Sequence, residues 1–294
     1  MPSLAPLTFQ RPPAVWPLLA RALLARRPPR LAPGRTIPPL EARLALQPPA
    51  PGHLEAYREV CGFEPDGKLP ITFPHALAGP LHLALLTGPD FPVRVLGLIH
   101  LRSRIQVARA IGEREPLDLR CRVEGHRDTE RGQEFDVHTE ARAGGQVAWS
   151  EIQTLLARGH GPRPPRPVPG AVAPAGARAT TWSLPADLGR RYARVSGDYN
   201  PIHLSAATAR LFGFQRAIAH GMWTLARAAA ELQPRVPGGG AVLEVAFKLP
   251  VLLPGQVTFR EWPAGRETGF AVLDAEDGRP HAVGTFGPAQ VGGP

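Results

Sequence analysis

The sequence predicts an α+β protein built as two similar halves, each a helix set against an antiparallel sheet. Three observations carry that expectation. Strict period-two alternation recurs in both halves, in Leu117 to Val123 and again in Val245 to Leu249, and this is the pattern of strands with one face buried. An apolar helical stretch precedes each set of strands, near His75 to Leu86 and from Gly221 to Leu232. A proline-dense run, GHGPRPPRPVPGAVAPAG from Gly159 to Gly176, separates the two sets. Such density makes an extended, semi-rigid linker.

The elements follow in order. Residues 1–40 are a lead-in segment rich in Pro and Arg, in which Val15 to Arg26 reads as a short amphipathic helix with Leu18, Leu19, Leu23 and Leu24 clustered. A basic start of this kind imitates a targeting segment, but it has no continuous apolar core and no cleavage site. It is read as a helix packing on the body, with association with a membrane surface as the alternative. The first half spans residues 41–158. His53 to Cys61 reads as a helix, and Pro80 is expected to bend or divide the helix near His75 to Leu86. Leu117 to Val123, Phe135 to Ala141 and Val147 to Leu156 read as strands, with a turn at Ala143-Gly144-Gly145. The linker takes residues 159–176, and the second half residues 177–294. There, Val242 to Leu249, Val257 to Trp262, Phe270 to Asp274 and His281 to Phe286 read as strands. Asp277-Gly278 marks the hairpin between the last two. Gly238 to Gly240 reads as a flexible loop, and the end from about Gly287 as frayed.

The chain has 294 residues, 43% hydrophobic and 20% charged, the composition of a globular protein of two ordinary domains. No apolar run approaches the roughly 18 residues a membrane span needs, so no integral membrane segment is expected. The formal charge of +9 prompts a search for nucleic acid. Yet only Lys68 and Lys248 are lysines, and there is neither a zinc spacing nor a basic–aromatic interleaving. No nucleic-acid partner is expected. A positive surface still suits phosphates or an acidic carrier. Cys61 and Cys121 are too few for a disulfide framework. Cys121 falls on the apolar side of a strand, so a buried free thiol is expected there, with a cytoplasmic location.

The chemistry is concentrated between Tyr192 and Leu232. In SGDYNPIH, Ser196 to His203, Gly197 frees the backbone and Asp198 and Asn200 favour turns. Pro201 pushes Asn200 towards an extended conformation, against a helix through the segment. Asp198 and His203 lie five residues apart, within reach of one another across a turn. A carboxylate beside an imidazole can poise a water for addition or elimination. In AHGMW, Ala219 to Trp223, His220-Gly221 opens the apolar helix. The first N–H groups of a helix have no partner inside it, and a glycine there lets a ligand carbonyl approach. Taken singly, Asp198 also reads as a turn cap, His203 as a satisfied loop histidine and His220 as a core one. The combination is what points to a site. With no G-x-S-x-G elbow and no G-x-G-x-x-G after a strand, neither a serine hydrolase nor a dinucleotide enzyme is indicated. Asp198, His203 and His220 lack a recognisable metal-ligand spacing.

The run YARVSGDYNPIHLSAATARLFGFQRAIAHGMW, Tyr192 to Trp223, resembles the signature of the MaoC-like (R)-specific enoyl-thioester hydratases and 3-hydroxyacyl-thioester dehydratases. LPITFPHALAGPLHLALLTG, Leu69 to Gly88, resembles the leading half of the two-hot-dog dehydratases of actinobacteria. The resemblance implies a double hot-dog fold, in which each half wraps an antiparallel sheet round a long central helix. It implies Asp198 and His203 as the catalytic pair that binds and activates water, with neither role assigned to one residue. It implies the Gly221 N–H as donor to the thioester carbonyl, with Asn200 and His220 beside it in substrate binding. Some relatives carry a serine farther along this helix, where this chain has Ala226, Ala228 and Ala229.

An internal repeat supports two related halves. Tyr57-x-x-Val60-Cys61-Gly62 aligns with Tyr192-x-x-Val195-Ser196-Gly197, but Phe63 stands where the second copy has Asp198. The first half is therefore read as degenerate, lacking acid and base and contributing an apolar tunnel for an acyl chain. The expected activity is reversible hydration of trans-2-enoyl thioesters to (R)-3-hydroxyacyl thioesters, without metal or cofactor. The substrate is carried on coenzyme A or an acyl carrier protein, and the enzyme is a monomer or homodimer. The alternatives are a non-catalytic acyl-thioester binder and, third, a thioesterase.

Overall fold

Strand β3 (Ile99–Val107) and strand β8 (Ala241–Phe247) join the two halves into one sheet. They pair antiparallel from Arg102 opposite Ala246 to Val107 opposite Ala241. This computed structural model describes residues 5–32, 34–46, 48–50, 52–158, 173–233 and 240–289. On the first-half side, β3 pairs with β6 (Gln146–Arg158), then come β5 (Gly132–Ala143), β4 (Leu117–Thr129), β2 (Leu40–Leu46) and the edge strand β1 (Leu7–Phe9). On the second-half side, β8 is followed by β11 (Pro280–Pro288), β10 (Glu267–Asp274), β9 (Gly255–Ala264) and β7 (Arg178–Leu184). Within this 11-stranded sheet β1–β2 alone is a parallel pairing.

The predicted strands are all present. β1, β2, β3 and β7 were not predicted. In β3 the inward positions are Leu101, Ser103 and Ile105, and the polar Ser103 breaks the apolar alternation. The outward face of the sheet carries cross-strand pairs such as Arg102–Glu134, Arg120–Glu41 and Arg104–Glu244. Much of the arginine excess thus sits on sheet surface opposite carboxylates. Each exposed pair is worth about 0–1 kcal/mol.

The helices lie against the sheet, α3 (Phe73–Thr87) on β2, β4 and β5, and α6 (Gly221–Leu232) on β8, β10 and β11. This is the double hot-dog arrangement. α3 continues through Pro80 as one helix, contrary to a division there. Burial of ten of its residues, Leu81 and Leu85 among them, outweighs one lost backbone hydrogen bond. Two shorter helices, α2 (His53–Cys61) and α4 (Leu188–Ser196), pack on one another, and a third, α5 (Ala206–Arg210), precedes α6. Contacts between the halves are polar as well as apolar. His53 Nε2 meets the Val195 carbonyl at 2.7 Å, and Trp223 Nε1 donates to the Val60 carbonyl at 2.9 Å.

The N-terminal helix α1 (Val15–Leu24) packs on α3, as expected of a helix resting on the body. The lead-in segment also supplies β1, so it belongs to the fold. Gly287 and Pro288 are held in β11, where fraying was expected. Residues 159–172 of the linker, Gly238, Gly239 and residues 290–294 lie outside the described residues. Cys61 and Cys121 are both buried and unpaired. Among the described residues, no helix is long and apolar enough to cross a membrane.

Candidate active site

A cavity of about 1590 Å³ lies where the two halves meet. Its walls come from α1, α3, β3, the end of α4, the loop after it and the start of α6. Asp198, Asn200, His203, His220 and Gly221, the residues singled out in the sequence, all line it.

The loop is shaped by local bonds. α4 ends at Gly197 in the left-handed conformation, φ 74°, which costs glycine little. Ser196 Oγ donates to the Tyr192 carbonyl and accepts from Asp198 N–H, at 2.9 and 3.2 Å. The Asp198 carboxylate accepts from Asn200 N–H at 3.1 Å, the Asx turn that Asp-x-Asn suggests. Pro201–His203 then forms a single 3-10 turn, so the segment is more regular than an irregular loop. Its Asn200 cap uses the side-chain oxygen on Ile202 N–H. α4 approaches this turn closely: a Cβ on Gly189 would collide with the His203 carbonyl oxygen.

The second segment is zipped to the first. Ile218 N–H donates to the Ile202 carbonyl at 3.1 Å, and Ala219 N–H to the Val251 carbonyl at 2.9 Å. His203 Nδ1 stands 2.8 Å from the Ile218 carbonyl and His220 Nε2 2.9 Å from the Asp198 carbonyl. A carbonyl only accepts, so each of these nitrogens carries the proton. The imidazole rings stack with centroids 3.7 Å apart. His203 Nε2 is thereby left as a lone pair.

The electrostatics agree with these tautomers. Burial, then the neighbouring His203, lowers the His220 pKa to about 3. Burial lowers that of His203 too, although Asp198 and the Ile218 carbonyl oppose it. Both rings are therefore neutral near pH 7. Burial alone would raise the Asp198 pKa. Interaction with His220 and His203, the Asn200 N–H and His75 outweighs it and leaves the carboxyl below its ordinary value. Asp198 is 53% exposed and lines the cavity.

Ligand atoms of Asp198, His203 and His220 lie within 4.8 Å of one another, a proximity the sequence spacing did not reveal. The donor set still fits a metal poorly. His220 Nε2 is committed as a donor, and its Nδ1 is sealed from the cavity without a partner. Two protein ligands remain, short of the three usual at a catalytic zinc.

Gly221 is the first residue of α6, and its N–H meets no acceptor among the described residues. A Cβ there would stand 3.2–3.4 Å from the Phe247 ring. His220 departs from its expected part. With its side chain 3% exposed, it holds the Asp198 backbone and backs the His203 ring, and offers no free N–H to a ligand. Asn200 Nδ2 donates to no described residue. Thr224 is the one hydroxyl on α6; it also lines the cavity, but its hydroxyl bonds to the His220 carbonyl at 3.3 Å.

Sequence reasoning missed the polar part of the first-half wall. Alongside Leu83, Leu86 and Leu98, the cavity is lined by His75, His82, His100 and Gln153, so the first-half wall is polar as well as apolar. The available signal was His75 and His82, seven apart in an otherwise apolar helix and hence on one face. Val15, Leu19 and Ala22 of α1 also line the cavity.

Comparison with known proteins adds to this geometry. Residues 165–284 match the family described as MaoC like domain. The chain is 34% identical over 241 residues to 3-hydroxyacyl-thioester dehydratase X of Mycobacterium tuberculosis, covering 80% of this chain and 84% of that protein. The chain belongs to the MaoC-like family. A crystal structure of the same mycobacterial protein, HtdX, superposes with a TM-score of 0.74 at 31% identity, over 85% of this chain and 100% of that one. The (R)-specific enoyl-CoA hydratase of Aeromonas caviae is 37% identical over 70 residues, 23% of this chain and 52% of that one. A further M. tuberculosis structure, described as a double hotdog, shares the fold at 13% identity and a TM-score of 0.53, over 87% and 96% of the chains. The MaoC-like match falls on the half that carries Asp198, His203 and Gly221.

Proposed function

We propose that the protein catalyses reversible hydration of trans-2-enoyl thioesters to (R)-3-hydroxyacyl thioesters, with Asp198 and His203 as the catalytic pair. One observation carries the reading. The Asp198 carboxylate and the bare His203 Nε2 are both hydrogen-bond acceptors on one cavity, beside the unpaired Gly221 amide. A water between two acceptors donates both of its protons to them. Its lone pair is then free to attack.

In hydration the water oxygen bonds to the β-carbon and the π electrons move towards the thioester carbonyl. The Gly221 N–H, at the positive end of α6, stabilises the resulting enolate oxygen. One of the two acceptors takes the water proton, and a proton is returned to the α-carbon on the same face. The product thus gains one water and the enzyme is unchanged. Names of the relatives support the substrate class and the (R) stereochemistry. Arg216, Lys248 and Arg279 at the cavity suit the phosphates of coenzyme A or of a carrier-protein arm. All of these groups come from one chain, so the reading needs no second copy. The buried thiols of Cys61 and Cys121 suit a reducing compartment such as the cytoplasm.

The test is turnover of crotonyl thioester by wild type, Asp198→Asn and His203→Ala, with circular dichroism as the control on folding. Each variant should lose about 10²–10⁴-fold in kcat, the range for removing a general acid or base. Near-wild-type turnover by either variant refutes the assignment. A folded wild type that binds the thioester without turnover makes it a binder, and release of free thiol makes it a thioesterase.

A further inference from the structure

Helix α3 turns His75, Gly79, His82, Leu83 and Leu86 onto the cavity, the spacing of a single helical face. That face lies against the catalytic loop. A Cβ on Gly79 would stand 2.7 Å from the Ser196 carbonyl oxygen, two residues before Asp198. His75 is one turn before Gly79. Its Nδ1 is 2.8 Å from Glu151 Oε2, and Ser103 Oγ donates to Glu151 Oε1 at 2.6 Å. The Glu151 side chain is wholly buried. His75 Nε2 has no partner among the described residues, and the ring lines the cavity.

A buried carboxylate is costly without a cation beside it. His75 is the group that reaches it. We infer that His75, tied to Glu151, is a positioning residue of the reaction: it presents its Nε2 edge to the cavity that Asp198 also lines and favours the ionised form of that carboxyl. This rests on the hydratase reading above.

The surrounding groups single out His75. Burial alone would lower its pKa, but the charge and hydrogen bond of Glu151 outweigh burial, and Asp198 adds to the rise. Glu151 is lowered in turn, burial notwithstanding, by His75 and by the Ser103 hydrogen bond. His82, beside His75 on α3, is pushed down to about 3 by burial first and then by His75. His100, at the start of β3, is pushed down to about 4, again by burial first. His203 and His220 are neutral as described. His75 is therefore the one cavity-lining histidine, among the described residues, whose pKa is raised.

Two measurements test this. In the pH profile of kcat/KM, the acid limb should move to higher pH in His75→Gln, because a lost neighbouring cation raises a carboxyl pKa. Glu151→Gln should move it the same way, since His75 then loses its own counter-ion. The second measurement is the His75 titration by NMR, assigned by its loss in His75→Gln, in wild type and in Asp198→Asn. Coupling is reciprocal, so the His75 pKa should fall when the Asp198 charge is removed. An acid limb superimposable on wild type, or a His75 titration indifferent to Asp198→Asn, overturns the role of His75 while wild-type turnover stands. A wild type without hydratase activity overturns the parent reading instead, and the NMR arm still reports the coupling.

Discussion

Tyr57 and Tyr192 face one another where the two halves meet, their ring centroids 6.3 Å apart. Each is the fifth residue of a nine-residue helix, and each helix ends on a left-handed glycine, Gly62 at φ 80° and Gly197 at φ 74°. The repeat read in the sequence is thus a repeat in space. The two hydroxyls differ, however. Tyr57 Oη donates to Thr72 Oγ1 at 2.9 Å, whereas Tyr192 Oη is buried and, among the described residues, has no partner within hydrogen-bond distance.

That difference sets the sign of a matched pair of substitutions. Tyr57→Phe removes a satisfied buried hydrogen bond and should destabilise by about 1 kcal/mol. Tyr192→Phe removes a buried hydroxyl that has no such partner and should be neutral or mildly stabilising. Urea midpoints of the two variants check the contrast, and an equal loss in both would contradict it.

The Gly221 amide can be removed without removing the helix. Proline is tolerated at the first helical position, and His220 already has the extended ψ of 138° that a following proline favours. Gly221→Pro should cost about 10²–10³-fold in kcat, the scale of one lost oxyanion donor. Gly221→Ala keeps the N–H and presses only on Phe247, so it reports the steric part alone. Equal losses in the two would mean that the amide is not the donor.

Gly189 is required by closeness. Gly189→Ala places a Cβ against the His203 carbonyl, so either α4 or the Pro201–His203 turn must move. Overpacking of this kind costs about 1–3 kcal/mol. Thermal unfolding should show that loss, and kcat should fall with it because His203 is displaced. An unchanged melting temperature and kcat would show that the contact relaxes freely.

Several buried histidines make stability depend on pH. His82 and His220 have folded pKa values near 3, against 6.5 for an ordinary histidine. Between those values the unfolded chain binds more protons than the folded one, so stability rises with pH. The contribution is complete above about 6.5 and is lost as pH falls towards 3. His82→Gln, which can still donate to Thr139, should flatten the slope of urea midpoint against pH in that window. A slope identical to wild type would exclude His82 as a source. The raised pKa of His75 acts in the opposite sense, adding stability below about 6.5 that is lost as pH rises through its folded value.

Period-two runs such as Leu117 to Val123 declared their strands, because burial on one face selects apolar residues at alternate positions. β3 stayed hidden because its central inward residue is Ser103, which serves Glu151. A polar residue placed for a distant partner carries no local signal. The uninterrupted α3 shows the converse, a strong local signal at Pro80 overruled by burial.

The sequence by itself determined the α+β class, the paired halves, the turn that carries Asp198 and His203 and the helix start at Gly221. Those features rest on neighbours in the chain: alternation, turn residues and an open helix start. Tertiary structure alone decided that the His203 and His220 rings stack, that His220 holds the Asp198 backbone, and that His75 of the other half, held by the buried Glu151, lines the same cavity. Glu151 lies 76 residues beyond His75 and on another element, and only packing of helix on sheet can bring such groups to one point.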